Sequence, residues 1–139
     1  MTAAAVTATS LTALPEPTAL LREQKAPLSS IVQAAGLLWL SGLTPRHIVT
    51  GDRELGDIEQ QTVVIMDNLR VLLESAGRGF SDVVRITIYL TDIADFERMN
   101  EVYKRYFHSP FPARSTVAVA ALVHAKYHIE IDVIATANG

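Results

Sequence analysis

Hydrophobic side chains recur at spacings of three and four residues after Asp57, a period typical of one apolar stripe on an amphipathic helix. The stripe contains Ile58, Thr62, Ile65, Met66, Leu69, Leu72, Leu73 and Ala76. An aspartate suits the positive N-terminal end of a helix, and a glycine suits the left-handed residue beyond its C-terminal end. The pattern therefore predicts a helix that begins after Asp57 and ends before Gly77.

The segment 83–90 changes to a period of two, which is typical of a strand with one buried face. Its apolar members Ile86, Ile88 and Leu90 alternate with Arg85, Thr87 and Tyr89. Asp92 or Asp95 can then cap a second helix. The stripe of this helix contains Ile93, Phe96, Met99 or Asn100, Tyr103, Tyr106 and Phe107, and the prolines of 109–112 end it.

Four further strands complete the predicted order β-β-α-β-α-β-β. The run 37–41 reads as a buried strand and 47–50 as a weak one, while 115–122 and 127–135 are predicted to form a final hairpin. The fold class is therefore α+β, with a mixed sheet and both helices on one of its faces. Two helices cover only one face, so the other face must be polar or covered by another subunit.

The domain organisation follows from composition and length. Residues 1–17 are rich in Ala and Thr and end in two prolines, which predicts a flexible N-terminal extension before a single domain over 18–139. Hydrophobic residues make up 49% of the 139. A small chain this apolar often hides part of its surface in an oligomer.

Charge and cysteine content narrow the function classes. The net charge is −3 and no cluster of Lys and Arg occurs, which disfavours a nucleic-acid partner. The chain has no cysteine, which excludes disulfides and thiolate chemistry and is compatible with the cytoplasm. No signal peptide is recognisable, and the longest apolar run, 31–43, is too short to span a membrane. The four histidines show no metal-ligand spacing, so no metal site is predicted.

Arg114 and the pair Glu130 and Asp132 remain as candidates for chemistry. A guanidinium can hold a substrate carboxylate through two parallel hydrogen bonds, and a carboxylate on a neighbouring strand can deprotonate a water aimed at the bound molecule. The structural alternative is an ion pair of Arg114 with Glu130 or Asp132, or with a carboxylate of a partner subunit. Residue types alone leave both interpretations open.

Five segments together carry a resemblance to the Rid family of reactive enamine/imine deaminases. They are LSGLTP (40–45), DNLRVLLESAG (67–77), DVVRITIYLTDIADFERMNEVYKRYF (82–107), FPARSTVAVA (111–120) and IEIDVIA (129–135). The likeness extends over residues 27–136. The combination of D-F-x-x-M-N-x-x-Y, F-P-A-R-S and I-E-I-x-x-I-A is highly specific.

The resemblance implies a chorismate-mutase-like fold and a homotrimer in which the sheets form a central β-barrel, with ligand sites in the clefts between subunits. It implies hydrolysis of 2-aminoacrylate and related enamine/imine intermediates to 2-keto acids and ammonia, without a cofactor. Arg114 would clamp the substrate carboxylate and Glu130 would position the attacking water. Gly42 and Asn100 match positions that line or shape the family's cleft, and the backbone of Ser115 and Thr116 would border the ligand.

Three positions depart from the family pattern. Leu28 stands where many deaminases have a tyrosine, Leu43 replaces a frequent glutamine, and Thr116 replaces a frequent cysteine. These changes leave room for a different substrate, either a bulkier enamine acid or a compound of the 2-aminomuconate type. They also leave open an alternative function, a trimeric module that binds or senses small carboxylates without turning them over.

Overall fold

The computed structural model describes residues 10–138, which form a six-stranded sheet and three α-helices. The strands are β1 (Thr12–Ala13), β2 (Ile31–Ala34), β3 (Leu37–Leu43), β4 (Val83–Leu90), β5 (Ala113–Ala118) and β6 (Ile129–Thr136). The helices are α1 (Ala19–Glu23), α2 (Ile58–Ser75) and α3 (Phe96–Tyr103). The strand order is β1-β2-β3-β6-β4-β5; β4 and β5 are parallel and the other neighbours antiparallel, so the sheet is mixed as predicted.

Helix α2 confirms the first predicted helix at both ends. The Asp57 side chain accepts a hydrogen bond from the backbone N–H of Gln60, whose side chain accepts one from the N–H of Asp57 in return. Gly77 has a φ of 70°, and the N–H of Arg78 donates to the carbonyl of Leu73 at 2.8 Å. This left-handed ending satisfies carbonyls of the last turn, as a glycine at that position allows.

The second predicted helix is shorter than its apolar stripe. A 3₁₀ turn over Ile93–Asp95 precedes α3, and Asp92 caps that turn by accepting from the N–H of Ala94. Helix α3 ends at Tyr103, and Phe107 lies in the turn beyond it with its ring stacked on Tyr103 at 4.7 Å between centroids. The end of the stripe is therefore packed, although it is not helical.

The first predicted strand, 37–41, is confirmed as part of β3, but the second, 47–50, is wrong. Residues 47–50 form a turn in which the N–H of Gly51 donates to the carbonyl of His47. The antiparallel partner of β3 is instead β2, which precedes it, and the loop between them has positive φ at both Ala35 (54°) and Gly36 (74°). Two such residues are the signature of a tight hairpin turn, but alanine is a poor sequence signal for it.

The predicted hairpin of the last two strands is also wrong. Strand β4 lies between β5 and β6, and β5 ends at Ala118 rather than at residue 122. Residues 119–128 pass across the end of β4, where the N–H of Val119 donates to the carbonyl of Leu90. Because α3 connects β4 to β5 as a crossover, those strands run parallel and β6 pairs on the other side of β4.

The two faces of the sheet differ in character. One face packs against α2 and α3 and is fully buried; it includes Ile86, Ile88, Leu90, Ile129, Ile131 and Val133. The other face is covered by no helix among residues 10–138. It carries Trp39, Arg85, Thr87, Tyr89, Glu130 and Asp132, and the Trp39 side chain is 42% exposed. We refer to this second surface as the open face.

The described part of the predicted N-terminal extension is paired with the sheet. Thr12 lies opposite Gln33 and Ala13 opposite Val32, and the N–H of Leu14 donates to the carbonyl of Ile31. The extension's first nine residues lie outside the described range. No helix within residues 10–138 is both long and apolar enough to cross a bilayer.

Candidate functional site

Arg114 lies on the helix side of the sheet, at its β5 edge. Its partner across the parallel pair is Ile86, whose side chain belongs to the buried face. The guanidinium Nη1 donates to Oδ1 of Asn100 at 2.7 Å. The guanidinium carbon also lies 4.8 Å from the ring centroid of Tyr103 and 5.5 Å from that of Phe96. Three side chains of α3 therefore fix the position of one arginine.

The surroundings of Arg114 stabilise its charge without neutralising it. Aromatic rings attract a guanidinium through their faces, and the Asn100 oxygen uses only one of its five N–H groups. No Asp or Glu among residues 10–138 forms a salt bridge with Arg114. A cavity of about 300 Å³ adjoins it, lined also by Asn100, Tyr103, Lys104, Phe111 and Pro112. The cavity can receive an anion at the unused donors.

Glu130 lies on the open face, opposite Tyr89 of β4. Its carboxylate covers Gly42 of β3, where a β-carbon added to the glycine would stand 2.7 Å from Oε2 of Glu130. The register between β3 and β6 shifts between Leu40 and Leu43, so this contact lies at an irregularity of the sheet. An alanine at position 42 would therefore force the Glu130 carboxylate to move.

The electrostatic environment of Glu130 favours its protonated form. Partial burial raises the pKa of the Glu130 carboxyl, and the negative charge of Asp132 two residues along the strand raises it further. Asp132 itself accepts a hydrogen bond from the Tyr89 hydroxyl at 2.8 Å, and this bond is the main cause that raises the pKa of Tyr89. A carboxyl with a raised pKa can both take up and return a proton more readily near neutral pH.

The remaining predicted residues divide between the two surfaces. Leu28 is 51% exposed and lines a cavity of about 620 Å³ together with Ser41 and Gly42. Ser115 faces the open side, where its hydroxyl accepts from Nη2 of Arg85 at 2.7 Å. Thr116 is on the side of Arg114, and its buried hydroxyl has no partner among the described residues.

The structure thus brings Arg114 together with Asn100, and Glu130 together with Gly42, but it does not unite the two pairs. Arg114 and Glu130 lie on opposite faces of the sheet with β4 between their strands. The ion pair of Arg114 with Glu130 or Asp132 within one chain, which residue types left open, is therefore not formed. Within one chain the two pairs form two separate candidate half-sites.

Sequence patterns alone did not identify several side chains that shape these half-sites. Phe96 and Tyr103 were predicted only as members of an apolar stripe, although the spacing of four and three around Asn100 places all three on one side of α3. Tyr89 alternates toward the open face, yet its position opposite Glu130 depends on the strand order, which no local pattern reveals.

Comparison with known proteins gives a family for the chain. The family model described as Endoribonuclease L-PSP matches residues 19–137. Protein DfrA of Myxococcus xanthus is 46% identical over 78% of this chain and 84% of its own length. A 2-iminobutanoate/2-iminopropanoate deaminase of Dermatophagoides farinae is 37% identical over 78% of this chain and 85% of its own length.

The fold is shared with solved structures. TdcF of E. coli, crystallised with bound serine, is 31% identical, has a TM-score of 0.74, and matches over 80% of this chain and 88% of its own. Structures of Rid-family proteins have the same mixed sheet and helices. The α+β fold expected from the sequence is thereby confirmed.

Proposed function

The chain belongs to the Endoribonuclease L-PSP family, which includes the Rid proteins, and from this premise we propose that it hydrolyses 2-imino acids to 2-keto acids and ammonia. We place the reaction in clefts between the subunits of a cytoplasmic homotrimer. The observation that carries the proposal is the environment of the Arg114 guanidinium. Asn100 and two aromatic rings hold it, and it borders a cavity. No carboxylate among the described residues forms an ion pair with it.

The opposite orientation of Arg114 and Glu130 is the reason for placing the site between subunits. A substrate as small as 2-aminoacrylate cannot contact both side chains through the thickness of one sheet. A second copy that presents its Glu130 and open face to the Arg114 edge supplies the missing half. The exposed Trp39 ring on the open face also favours burial of that surface against another copy.

Arg114 binds and orients the substrate in this proposal. Its planar fork pairs with the carboxylate of the imino acid through charge-assisted hydrogen bonds, while Asn100 keeps the fork in place. The carboxylate is one bond from the imine carbon. Fixing it therefore fixes the position of the electrophile, which supplies much of the rate enhancement through proximity alone.

Glu130 handles the protons. As a carboxylate it accepts a hydrogen bond from a water, whose oxygen attacks the imine carbon while Glu130 takes the proton. The carbinolamine that forms then receives this proton on its nitrogen. The carbon–nitrogen bond then breaks and ammonia leaves, while the hydroxyl gives its proton to Glu130 and becomes the carbonyl. Glu130 passes this second proton to the ammonia, which leaves as ammonium. One water and one 2-iminium acid thus give one 2-keto acid and one ammonium ion, and an enamine enters the sequence after it tautomerises to the imine.

A second function, binding of small carboxylates without turnover, is favoured by one feature. Leu28 supplies no hydroxyl at the cavity beside Gly42, so the environment of the attacking water is more apolar there. Such a module would use the Arg114 half-site in the same way. The binding module would differ from the proposed deaminase only because it leaves the imine intact.

The test is the release of ammonia and pyruvate from 2-aminoacrylate, which a serine dehydratase generates in the assay. We expect wild-type protein to accelerate release, and Arg114→Ala to lose at least about 100-fold of that acceleration, since a charged clamp is removed. Arg70→Ala is the matched control, because Arg70 also stacks on two rings, Phe80 and Tyr106, but lies away from the cavity.

Two outcomes distinguish the functions. Acceleration that is lost in Arg114→Ala and retained in Arg70→Ala supports the deaminase. Saturable binding of pyruvate that depends on Arg114, with no acceleration for 2-aminoacrylate or larger imino acids, contradicts it and favours the binding module.

A further inference from the structure

We propose that the cavity beside Gly42 accepts the side chain of the substrate and selects 2-imino acids with a branched or aromatic apolar side chain. This inference rests on the proposed deamination and adds a substrate class to it. The cavity has a volume of about 620 Å³ and lies among α1, residues 24–30, residues 41–48 and one face of α2. It is therefore much larger than the methyl group of an alanine-derived imine requires.

The position of the cavity connects it to the reacting carbon. Ser41 and Gly42 form part of its wall, and the Glu130 carboxylate covers the same Gly42. A water held by Glu130 attacks the imine carbon, so that carbon must lie close to Gly42. The side chain on the imine carbon then points toward the cavity.

The deep wall of the cavity is apolar. Leu43, Ile48 and Leu72 are 7%, 9% and 1% exposed, and Leu20 and Leu21 of α1 with Leu28 complete the apolar lining. The charged members Glu23, Lys25 and Arg46 are exposed residues at its rim. A ligand group that reaches the interior therefore meets mainly hydrocarbon, beside the buried polar residues Ser30 (8% exposed) and Asn68 (4% exposed).

Two polar side chains of the wall, Asn68 and Ser41, are already hydrogen-bonded to the protein itself; Gln24, Ser30, Thr44 and His47 also line the cavity. The Asn68 side chain donates to the carbonyl of Arg46 at 2.7 Å and accepts from the N–H of Ile48 at 3.2 Å. The Ser41 hydroxyl donates to the carbonyl of Ser29 at 2.6 Å. A polar substrate side chain would lose its water without gaining these partners, whereas an apolar one gains by leaving water.

The expected size of the selection follows from buried carbon. Each methylene moved from water into an apolar pocket contributes about fourfold in binding. A leucine-derived imine carries three more side-chain carbons than an alanine-derived one. We therefore expect its kcat/KM to be higher by about 10-fold to 60-fold.

The experiment compares imino acids formed in the assay by an amino-acid oxidase from alanine, leucine and glutamate, with ammonia release as the readout. Wild-type protein should prefer the leucine-derived imine. Leu20→Trp, which fills the cavity from α1, should bring the leucine-to-alanine ratio to within about threefold of one. Val49→Trp is the control: Val49 is next to Ile48 but is 66% exposed and outside the lining.

Binding of the keto-acid products gives a readout that does not need turnover. By calorimetry, 4-methyl-2-oxopentanoate should bind at least about tenfold more tightly than pyruvate, and Leu20→Trp should remove the difference. Equal affinities, or a preference for 2-oxoglutarate through the rim cations, would overturn the apolar selection. Turnover of all three imines without preference would overturn it too and leave the deaminase intact. Absence of turnover with every imine would instead contradict the proposed function.

Discussion

Arg114 and Glu130 lie on opposite faces of one sheet, and their surroundings act on their charges in opposite ways. Around Arg114, the Asn100 oxygen and the rings of Tyr103 and Phe96 favour a cation and leave most of its donors unused. Around Glu130, partial burial and the charge of Asp132 disfavour an anion. One half-site is built to keep its charge and the other to exchange a proton.

This difference assigns the two steps of the proposed reaction. A clamp works best when its charge is constant, because the substrate carboxylate must remain bound throughout the reaction. A general base works best when its pKa lies near the working pH, because it must both take and return a proton. The two groups lie on opposite faces of the sheet, so neither neutralises the other within a chain.

The largest expected effect comes from Glu130→Gln, which removes the proton carrier and retains the shape. We expect kcat to fall by about 10²-fold to 10⁴-fold, the range that general acid–base catalysis supplies. The affinity for the keto acid should change little, since the clamp is intact. Arg114→Ala should instead lose affinity, and the split is measured by steady-state kinetics together with calorimetry.

Asp132→Asn is the matched control for Glu130→Gln, because it removes an oxygen from the same face two residues away. Its kcat at the optimum should stay within about tenfold of wild type. If Glu130→Gln retained full kcat, proton transfer by Glu130 would be excluded.

Mixed oligomers test whether the half-sites come from different subunits. Arg114→Ala and Glu130→Gln chains are each expected to be inactive alone. If each site takes its arginine from one subunit and its glutamate from the next, random mixing leaves about a quarter of the sites intact. Activity should therefore return on co-expression of the two variants. A mixture as inactive as its components, in a confirmed mixed oligomer, would place the site within one chain.

The sequence predicted those parts of the fold that depend on the spacing of residues within one helix or strand. Helix α2 and its caps follow from a period of three and four with Asp57 and Gly77 at its ends, and the alternation of β6 places Glu130 and Asp132 on one face. The pairing of strands cannot be predicted from such local patterns. Whether β6 lies beside β5 or beside β4 depends on nonlocal hydrogen bonds.

The candidate site shows the same division. The residues of the half-sites were identified from motifs shared with a family, and this identification required no knowledge of the fold. Their separation onto two faces needed the register of Ile86 with Arg114 and of Tyr89 with Glu130. The alanine at positive φ in the β2–β3 turn was missed because residue type carries little information on such a conformation.

A smaller effect is expected at the contact of β3 with Glu130. In Gly42→Ala, the new methyl would lie 2.7 Å from Oε2 of Glu130, so the carboxylate must move. We expect kcat to fall by about tenfold with little change in keto-acid affinity, because misplacement of a base by about 1 Å is costly. Gly79→Ala is the control, since its β-carbon would meet nothing within 4 Å and its φ is not positive. Equal kcat values for the two variants would show that Glu130 is free to shift without loss.

The smallest effect is a shift in pH dependence, and its sign is fixed by the charges on the open face. Glu130 must be ionised to accept a proton, so activity should rise as pH rises through its pKa, above the range of an ordinary glutamate. The charged or titratable side chains that share the open face with Glu130 are Asp132, Tyr89 and Arg85. In Asp132→Asn the nearby negative charge is gone, so the acidic limb of the kcat profile should move to lower pH.

The same shift affects stability in a defined direction. Because the pKa of Glu130 is raised in the folded chain, the folded state binds more protons than the unfolded one between the two pKa values. The free energy of unfolding contributed by this group therefore falls as pH rises through that window. Asp132→Asn should flatten the fall, measured by urea denaturation at several pH values. An acidic limb that stays in place in Asp132→Asn would mean that burial alone, rather than the carboxylate pair, sets the protonation of Glu130.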